Sequence, residues 1–293
     1  MIVFNLLLYY LVIIPISLLP FPVLYGFSNF LYFIFYYVTG YRKKVVLNNI
    51  RNSFPGKSEK EVQEICQKFY KHFCDIVVES VKTFTIAERQ VRKRFTVSNP
   101  ELSDKYYNDK RSVIFAGGHY NNWELLAVGM DQCIKHKAVG LYTPLSNKFF
   151  DDKMQKTRSR FGLIMLSTKA AKRYADTNKD KLTGMVFGFD QSPSNPKSAY
   201  WMKFLNQDTG MQYGVEKFAK DYNYPVIYGT INKVKRGHYR LDLVLVTDQP
   251  QETPYGFIIE EINHLLEKDI IKKPEYWLWT HKRWKHKKPV NSE

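Results

Sequence analysis

Acidic residues and cysteines are both scarce in this 293-residue chain. It has 28 Asp and Glu against 44 Lys and Arg, so its formal net charge is +16. A surplus of this size indicates acidic partners, such as nucleic acid, anionic lipid headgroups or an acidic protein. The three cysteines, Cys66, Cys74 and Cys133, show neither metal-ligand spacing nor a CxxC pair. Their odd number gives no disulfide framework, which favours a reducing compartment over a secreted protein.

Charged side chains are missing from the first 41 residues, and the first to appear is the basic cluster Arg42, Lys43 and Lys44. Residues 2–19 are apolar enough to reach across a bilayer core, whereas residues 23–38 carry tyrosines and could span or lie in the interface. A basic n-region and a small-residue cleavage site are both absent, which disfavours a cleaved signal peptide. We therefore expect residues 1–41 to form a membrane anchor and the basic cluster to keep the rest on the cytoplasmic side.

The rest of the chain shows neither internal repeats nor a low-complexity linker, which predicts one domain over residues 42–289 and a short tail at 290–293. Ser58 and Glu61 form a capping box before an amphipathic pattern that predicts a helix to about residue 83. Apolar β-branched runs and helical patterns then alternate, which indicates an α/β fold. The predicted strands are 112–116, 138–142, 184–189, 225–231 and 240–246, and the predicted helices are 122–134, 147–160, 169–178, 211–221 and 255–270.

A histidine follows two glycines at the end of the first of these strands. Gly117 and Gly118 permit close approach of backbone and substrate, and His119 stands where ligands of α/β sheets gather. Glu124, one turn into the next helix, could hydrogen-bond the imidazole, fix its tautomer and stabilise its cation. The His-x4-acid spacing is weak alone, because His264 shares it within a charged helix, where we interpret it as a surface residue.

Residues 118–124, with the sequence GHYNNWE, resemble the GHxGNWE block of the bacterial lipid A biosynthesis acyltransferases, the lauroyl and myristoyl transferases of lipopolysaccharide assembly. Four further segments in the same order are similar to family blocks: 42–54, 142–147 with 158–162, 189–191, and 274–284, which looks like the signature PEQYLWxHRRWK. Two departures are Asn121, where the family usually has Gly, and residues 192–196 after the Asp-Gln pair. The second departure bears on the identity of the acceptor more than on the chemistry.

The resemblance implies a central mixed sheet flanked by helices, as in glycerolipid acyltransferases. It also implies transfer of a fatty acyl chain from acyl carrier protein to a hydroxyl of a lipid A precursor at the inner membrane, without a cofactor, a metal or nucleic acid. The expected catalytic residues are His119 as base, Glu124 as its support and Arg158, which would stabilise the oxyanion or anchor a phosphate. The expected substrate-binding residues are Tyr120, Asn122, Trp123, Arg160, Asp190 and Gln191.

Several alternatives stay open at this point. Arg160 rivals Arg158 as the counterpart of the family arginine, and Arg158 could be one more charge on a basic helix. Asp190 could be a turn or cap residue rather than a substrate contact. The acceptor could be an ornithine-type aminolipid or a lysophospholipid, and a non-catalytic membrane protein could retain the same fold. Acyl chain length depends on the depth of a pocket, which the sequence does not specify.

Overall fold

The computed structural model describes residues 2–289, so the predicted tail at 290–293 lies outside the described part. The chain begins with helices α1 (Ile2–Leu7) and α2 (Ile14–Leu18), which are joined by wider π-type turns at Leu8–Ile13. Helix α3 (Phe21–Phe33) follows and continues through similar turns at Ile34–Val38. Residues Phe21–Val38 form the one described helix that is long and apolar enough to cross a membrane by length and composition, and Ile2–Leu18 is shorter.

Two helices connect this segment to the sheet. Helix α4 (Lys43–Ser53) precedes the long helix α5 (Glu59–Thr83), and the capping box predicted at its start is confirmed. The Ser58 hydroxyl accepts from the Glu61 backbone N–H, and the Glu61 carboxylate accepts from the Ser58 backbone N–H. Two orphan donors of the first turn are thereby satisfied.

The predicted α/β fold is confirmed by a seven-stranded mixed sheet in the order β1-β9-β8-β2-β5-β3-β4. All its neighbours are parallel except β8 and β9, which form a long antiparallel pair. The strands of this sheet are β1 (Phe95–Val97), β2 (Val113–Gly117), β3 (Lys137–Tyr142), β4 (Ile164–Ser167), β5 (Thr183–Gly188), β8 (Val226–Lys235) and β9 (His238–Thr247).

The sequence did not predict a separate antiparallel hairpin, which consists of β6 (Tyr200–Phe204) and β7 (Gln207–Met211). Its turn residues Leu205 and Asn206 both have positive φ, of 48° and 62°, without the glycine that usually marks such a turn. Short strands β1 and β4 also went unpredicted. The remaining helices are α6 (Glu88–Arg94), α7 (Glu101–Asn108), α8 (Trp123–Gly129), α9 (Lys148–Arg158), α10 (Ala171–Thr177), α11 (Gly214–Tyr222) and α12 (Phe257–Lys272).

Strand β2 shows how the sheet divides the core into two layers. Ile114 and Ala116 pack on one face, with α5, α11 and α12, whereas Val113 and Phe115 pack on the other, with α6 and α8. Successive side chains of a strand point to opposite faces, so a strand buried on both sides is apolar throughout, as β2 is. The predicted site residue His119 follows β2 at the edge of the sheet where β2 and its neighbour β5 end.

Helix α3 packs against α5 through hydrogen bonds between polar side chains as well as through apolar contacts. The Tyr25 hydroxyl donates to the Glu79 carboxylate at 2.9 Å, and the Ser28 hydroxyl donates to the Asp75 carboxylate at 2.8 Å. Both carboxylates are buried. A buried carboxylate is costly unless it accepts hydrogen bonds, so these contacts stabilise the docked arrangement.

We predict that Tyr25→Phe lowers the stability of the folded protein. The change leaves the buried Glu79 with one donor fewer, which costs about 1–3 kcal/mol and lowers the apparent melting temperature by several degrees in a thermal scan. Tyr41→Phe makes the same chemical change at an exposed tyrosine and is the matched control. Equal melting temperatures for the two variants would contradict the prediction.

Candidate active site

The two neighbouring strands β2 and β5 bring the central pair of side chains together. Their register aligns Gly117 with Gly188 at the carboxyl ends of the strands. His119 and Asp190 each come two residues after these glycines, so the two side chains emerge side by side. Gly118 permits this because a Cβ there would meet Leu266 methyls at 2.8 Å and the Asp190 carboxylate at 3.3 Å.

Asp190 holds His119 through two hydrogen bonds. Its Oδ1 lies 2.6 Å from the imidazole Nδ1, and its Oδ2 accepts from the His119 backbone N–H at 2.8 Å. The indole N–H of Trp277 also donates to Oδ2, at 2.8 Å. Because Nδ1 faces the carboxylate, the neutral imidazole carries its proton there and leaves Nε2 as an acceptor. The Gln191 side-chain nitrogen lies 3.2 Å from that Nε2.

The electrostatics of the pair favour a charged histidine. Burial lowers the pKa of His119, but the charge of Asp190, its hydrogen bond and the charge of Glu124 outweigh burial and raise it above the ordinary value. Burial raises the pKa of Asp190, yet His119 and the donated hydrogen bonds hold it at about 2. Asp190 therefore stays ionised and stabilises the imidazolium that forms when His119 accepts a proton.

The structure places Glu124 differently from our expectation that it would hold the imidazole. Its carboxylate accepts two hydrogen bonds from Arg158, from Nε at 3.0 Å and from Nη2 at 2.6 Å. Within residues 2–289, no hydrogen bond joins Glu124 to His119, because Asp190 occupies Nδ1. The tautomer of the histidine is thus fixed by Asp190, and Glu124 acts on His119 through its charge.

Arg158 is the last residue of α9, and only 22% of its side chain is exposed. Burial lowers its pKa, but the adjoining Glu124 carboxylate raises it above the ordinary value. Lys156, by contrast, is 72% exposed and pairs with Asp152. The bidentate pair fixes the guanidinium at the site and, among the described residues, leaves Nη1 without a hydrogen bond.

A cavity of about 580 Å³ opens beside these side chains. Its lining includes His119, Glu124 and Arg158 together with the half-exposed Leu145. It also includes apolar residues that are buried in the core, namely Met130, Leu163 and Leu241. The cavity therefore runs from the surface into the layer on the α8 face of the sheet, in the size range of ligand pockets.

The other predicted site residues divide into two groups. Trp123 and Gln191 line the cavity, and the Trp123 ring meets the His119 ring edge-on at 5.2 Å between centroids. The remaining three have structural contacts. Tyr120 donates to backbone carbonyls at the end of α12. Asn122 caps α8 and donates to the Glu79 carboxylate. Arg160 donates to three backbone carbonyls at and just after the end of α5. None of these three lines the cavity.

Asn121 explains a departure from the family pattern. Its φ is +56°, in the left-handed region that glycine adopts without strain and asparagine tolerates better than most residues. Its side chain donates to the Ile231 carbonyl at 2.6 Å, and its backbone N–H donates to the Tyr276 carbonyl. The turn after His119 is therefore joined both to strand β8 and to the C-terminal signature segment.

The sequence analysis assigned no role to Trp277 or Glu79. Trp277 lies in the C-terminal signature, yet only tertiary structure shows its contact with Asp190. A buried role for Glu79 could have been predicted from the sequence, because Asp75 and Glu79 are four residues apart on the apolar side of the α5 pattern. Acidic residues on such a face require buried donors, and Glu79 receives them from Tyr25, Asn122 and Tyr239.

We predict that Asp190→Asn lowers the pKa of His119 below its ordinary value of 6.5, because burial remains while the opposing carboxylate is lost. NMR titration of the imidazole would measure this, with the resonance assigned by its absence in His119→Ala. Glu124→Gln is the control and should lower the pKa less, because the charge of Asp190 acts more strongly. A larger shift in Glu124→Gln would show that the partner is misassigned.

Comparison with known proteins identifies the relatives of this chain. Residues 2–286 match the sequence profile of a family described as bacterial lipid A biosynthesis acyltransferase. The chain is 22% identical over 250 residues to a lipid A biosynthesis palmitoleoyltransferase of Escherichia coli, covering 83% of this chain and 79% of that protein. It is 22% identical over 271 residues to a lipid A biosynthesis lauroyltransferase of the same organism, covering 91% and 87%. A lipid A biosynthesis acyltransferase of Haemophilus influenzae is 23% identical over 276 residues, covering 91% and 86%. Because the profile extends over nearly the whole chain, this protein belongs to the bacterial lipid A biosynthesis acyltransferase family and is an acyltransferase.

Proposed function

We propose that this enzyme transfers a fatty acyl chain from a thioester on acyl carrier protein to a hydroxyl of a lipid A precursor. The reaction takes place at the cytoplasmic face of the inner membrane, in lipopolysaccharide biosynthesis. The observation that carries the proposal is the His119–Asp190 pair, whose Nε2 faces a largely apolar cavity in a member of this family.

His119 acts as the general base in this proposal. Its Nε2 takes the proton of the acceptor hydroxyl, whose oxygen attacks the thioester carbonyl to form a tetrahedral oxyanion. The oxyanion then expels the thiolate of the carrier, which receives the proton from the imidazolium. Asp190 stabilises the imidazolium between the two steps. The hydroxyl takes the place beside Nε2 where the Gln191 side-chain nitrogen lies, at 3.2 Å.

Arg158 and Glu124 supply the second pair of charges. Nη1 of Arg158, which makes no hydrogen bond to the described residues, can donate to the oxyanion or to a phosphate of the acceptor, while Glu124 holds the guanidinium by Nε and Nη2. Glu124 is then a positioning residue for Arg158 and an electrostatic support for His119. Trp123 and Gln191 would contact substrate, because both line the cavity.

The charge and shape of the protein suit both proposed substrates. Acyl carrier protein is acidic and the lipid acceptor is phosphorylated, and a net charge of +16 favours association with both. The cavity is lined by apolar side chains at its buried end, and His119, Glu124 and Arg158 line another part of it, which suits a fatty acyl thioester.

The acceptor is tested by offering alternatives to the purified enzyme. We expect acyl carrier protein loaded with a fatty acyl chain to acylate a lipid A precursor, with the product identified by mass spectrometry. A lyso-ornithine lipid and a lysophospholipid should react far more slowly. Preferred transfer to either would replace the proposed acceptor, and hydrolysis without transfer to any lipid would contradict the reaction itself.

We predict that His119→Ala reduces turnover to a few per cent of the unaltered enzyme or less, because the variant loses the imidazole nitrogen that takes the hydroxyl proton in this proposal. The matched control is His264→Ala, which removes an exposed histidine with the same five-residue spacing to an acid. Steady-state kinetics and circular dichroism of both variants would decide. Full activity in purified, folded His119→Ala would exclude this residue as the base.

We predict that Arg158→Lys loses more than about 2 kcal/mol of transition-state stabilisation, because an ammonium cannot hold Glu124 bidentately and still face the substrate. Lys156→Ala, on the same helix, should change kcat/KM less than about fivefold, as solvated charges do. Arg160→Lys should lower the melting temperature rather than kcat. If it were Arg160→Lys that selectively lost turnover, the substrate role would belong to Arg160.

A further inference from the structure

The N-terminal helices present an apolar side to solvent, while their other side contacts the protein through polar as well as apolar side chains. Most of the described large apolar side chains that are exposed belong to residues 2–41. On α3 and its extension they are Val23, Phe30, Phe33, Tyr37 and Val38, each more than half exposed, and the first four are spaced along one side of the helix. A soluble domain does not leave such a face uncovered, so this face has a partner.

The opposite side of α3 is occupied by charged groups of the catalytic domain along its whole length. At its first turn, the Arg94 guanidinium stacks on the Phe21 ring at 3.3 Å. In its middle, Arg236 donates to the Tyr25 carbonyl and the Asn29 side chain. Near the end of its extension, the Lys43 ammonium lies 3.6 Å from the centre of the Tyr36 ring.

These contacts are incompatible with α3 crossing a bilayer. Eighteen helical residues measure about 27 Å, so a spanning helix would place its middle at the centre of the hydrocarbon. Arg236, Asp75 and the exposed charges of α5 would have to follow it there, or every contact would have to break. Charged groups inside hydrocarbon are strongly disfavoured unless they line a bundle or a cavity.

Helix α1 extends the apolar surface towards the active site. Asn5 donates to Asn147, the cap of α9, and the Lys153 ammonium of α9 lies 4.9 Å from the centre of the Tyr9 ring. Helix α9 also carries Arg158 and forms one wall of the cavity. A surface that covers α1 to α3 would therefore adjoin the mouth of the cavity.

We propose that the protein is monotopic: α1, α2 and α3 lie within one leaflet of a lipid bilayer, parallel to its surface, and no described segment crosses it. The partner is a leaflet with anionic headgroups, because the cations beside α3, Arg94, Arg236 and Lys43, outnumber the carboxylates Asp75 and Glu79, and the chain carries a net charge of +16. The arrangement holds whichever lipid is the acceptor and whatever the catalytic roles of His119 and Asp190. It also brings the cavity to the depth at which a lipid hydroxyl lies.

Fluorescence quenching by spin-labelled lipids tests the orientation. The substitutions Val23→Cys, Phe30→Cys and Tyr37→Cys, each in a separate variant, introduce one site for a fluorophore. All are made in a Cys133→Ser background. Cys66 and Cys74 stay unchanged because they are buried. The full-length protein is placed in vesicles of phosphatidylcholine with a minority of phosphatidylglycerol. The quencher lies either near the lipid headgroup or near the end of the acyl chain. Lys179→Cys, before β5 at the opposite edge of the sheet from His119, is the matched control.

An in-plane helix places all three positions at one shallow depth. The headgroup-level quencher should therefore act equally on the three positions, and more strongly than the quencher at the end of the acyl chain. The fluorophore at position 179 should not be quenched. A spanning helix instead places position 30 near the deep quencher and positions 23 and 37 near the headgroups, which would overturn the proposal. Absence of quenching at all three positions would also overturn it, and would indicate that another protein chain covers this face. Each outcome is independent of acyl transfer.

Discussion

A buried carboxylate that must stay ionised determines much of the architecture around the active site. Asp190 is almost fully buried, and it remains charged only because His119 donates to it twice and Trp277 once. These donors come from the turn after β2 and from the C-terminal segment, which are far apart in the chain. Three features bring these donors to the Asp190 carboxylate and so neutralise its charge. They are the β2–β5 register, the absence of a side chain at Gly118 and the docking of the C-terminal segment.

The site contains two ion pairs with different tasks, although the sequence suggested one. In the proposed reaction the His119–Asp190 pair transfers a proton, for which the carboxylate holds Nδ1 and Nε2 remains an acceptor. The Glu124–Arg158 pair fixes a cation without consuming all its donors. In the proposed mechanism this separation allows the base and the oxyanion donor to face the same cavity without neutralising each other, since each is already balanced by its own partner.

Local pattern was sufficient to predict the five main strands, the capped helix α5 and the position of His119 at the end of a strand. These depend on periodicity, glycine and capping, which are properties of neighbouring residues. The partner of His119 could not be predicted in that way, because Asp190 is 71 residues away and meets it only through the β2–β5 register. Glu124 was favoured because it is close in sequence, yet the start of α8 directs it towards Arg158. The β6–β7 hairpin was missed because Leu205 and Asn206 turn the chain without glycine.

Glu79 gives the outermost helix a direct connection to the catalytic turn. It accepts from Tyr25 of α3 and from Asn122, the residue that caps the helix of Glu124 three positions after His119. A shortened, more soluble version of the enzyme lacking its first helices would therefore lose more than its attachment to lipid. Glu79 would keep two of its three donors and gain access to water, and Asn122 would be free to move towards it. Slow turnover in such a version would have two causes that the assay does not separate, poor delivery of lipid and a disturbed Asn122 cap close to His119. It would therefore be a misleading measure of how far the reaction depends on a membrane.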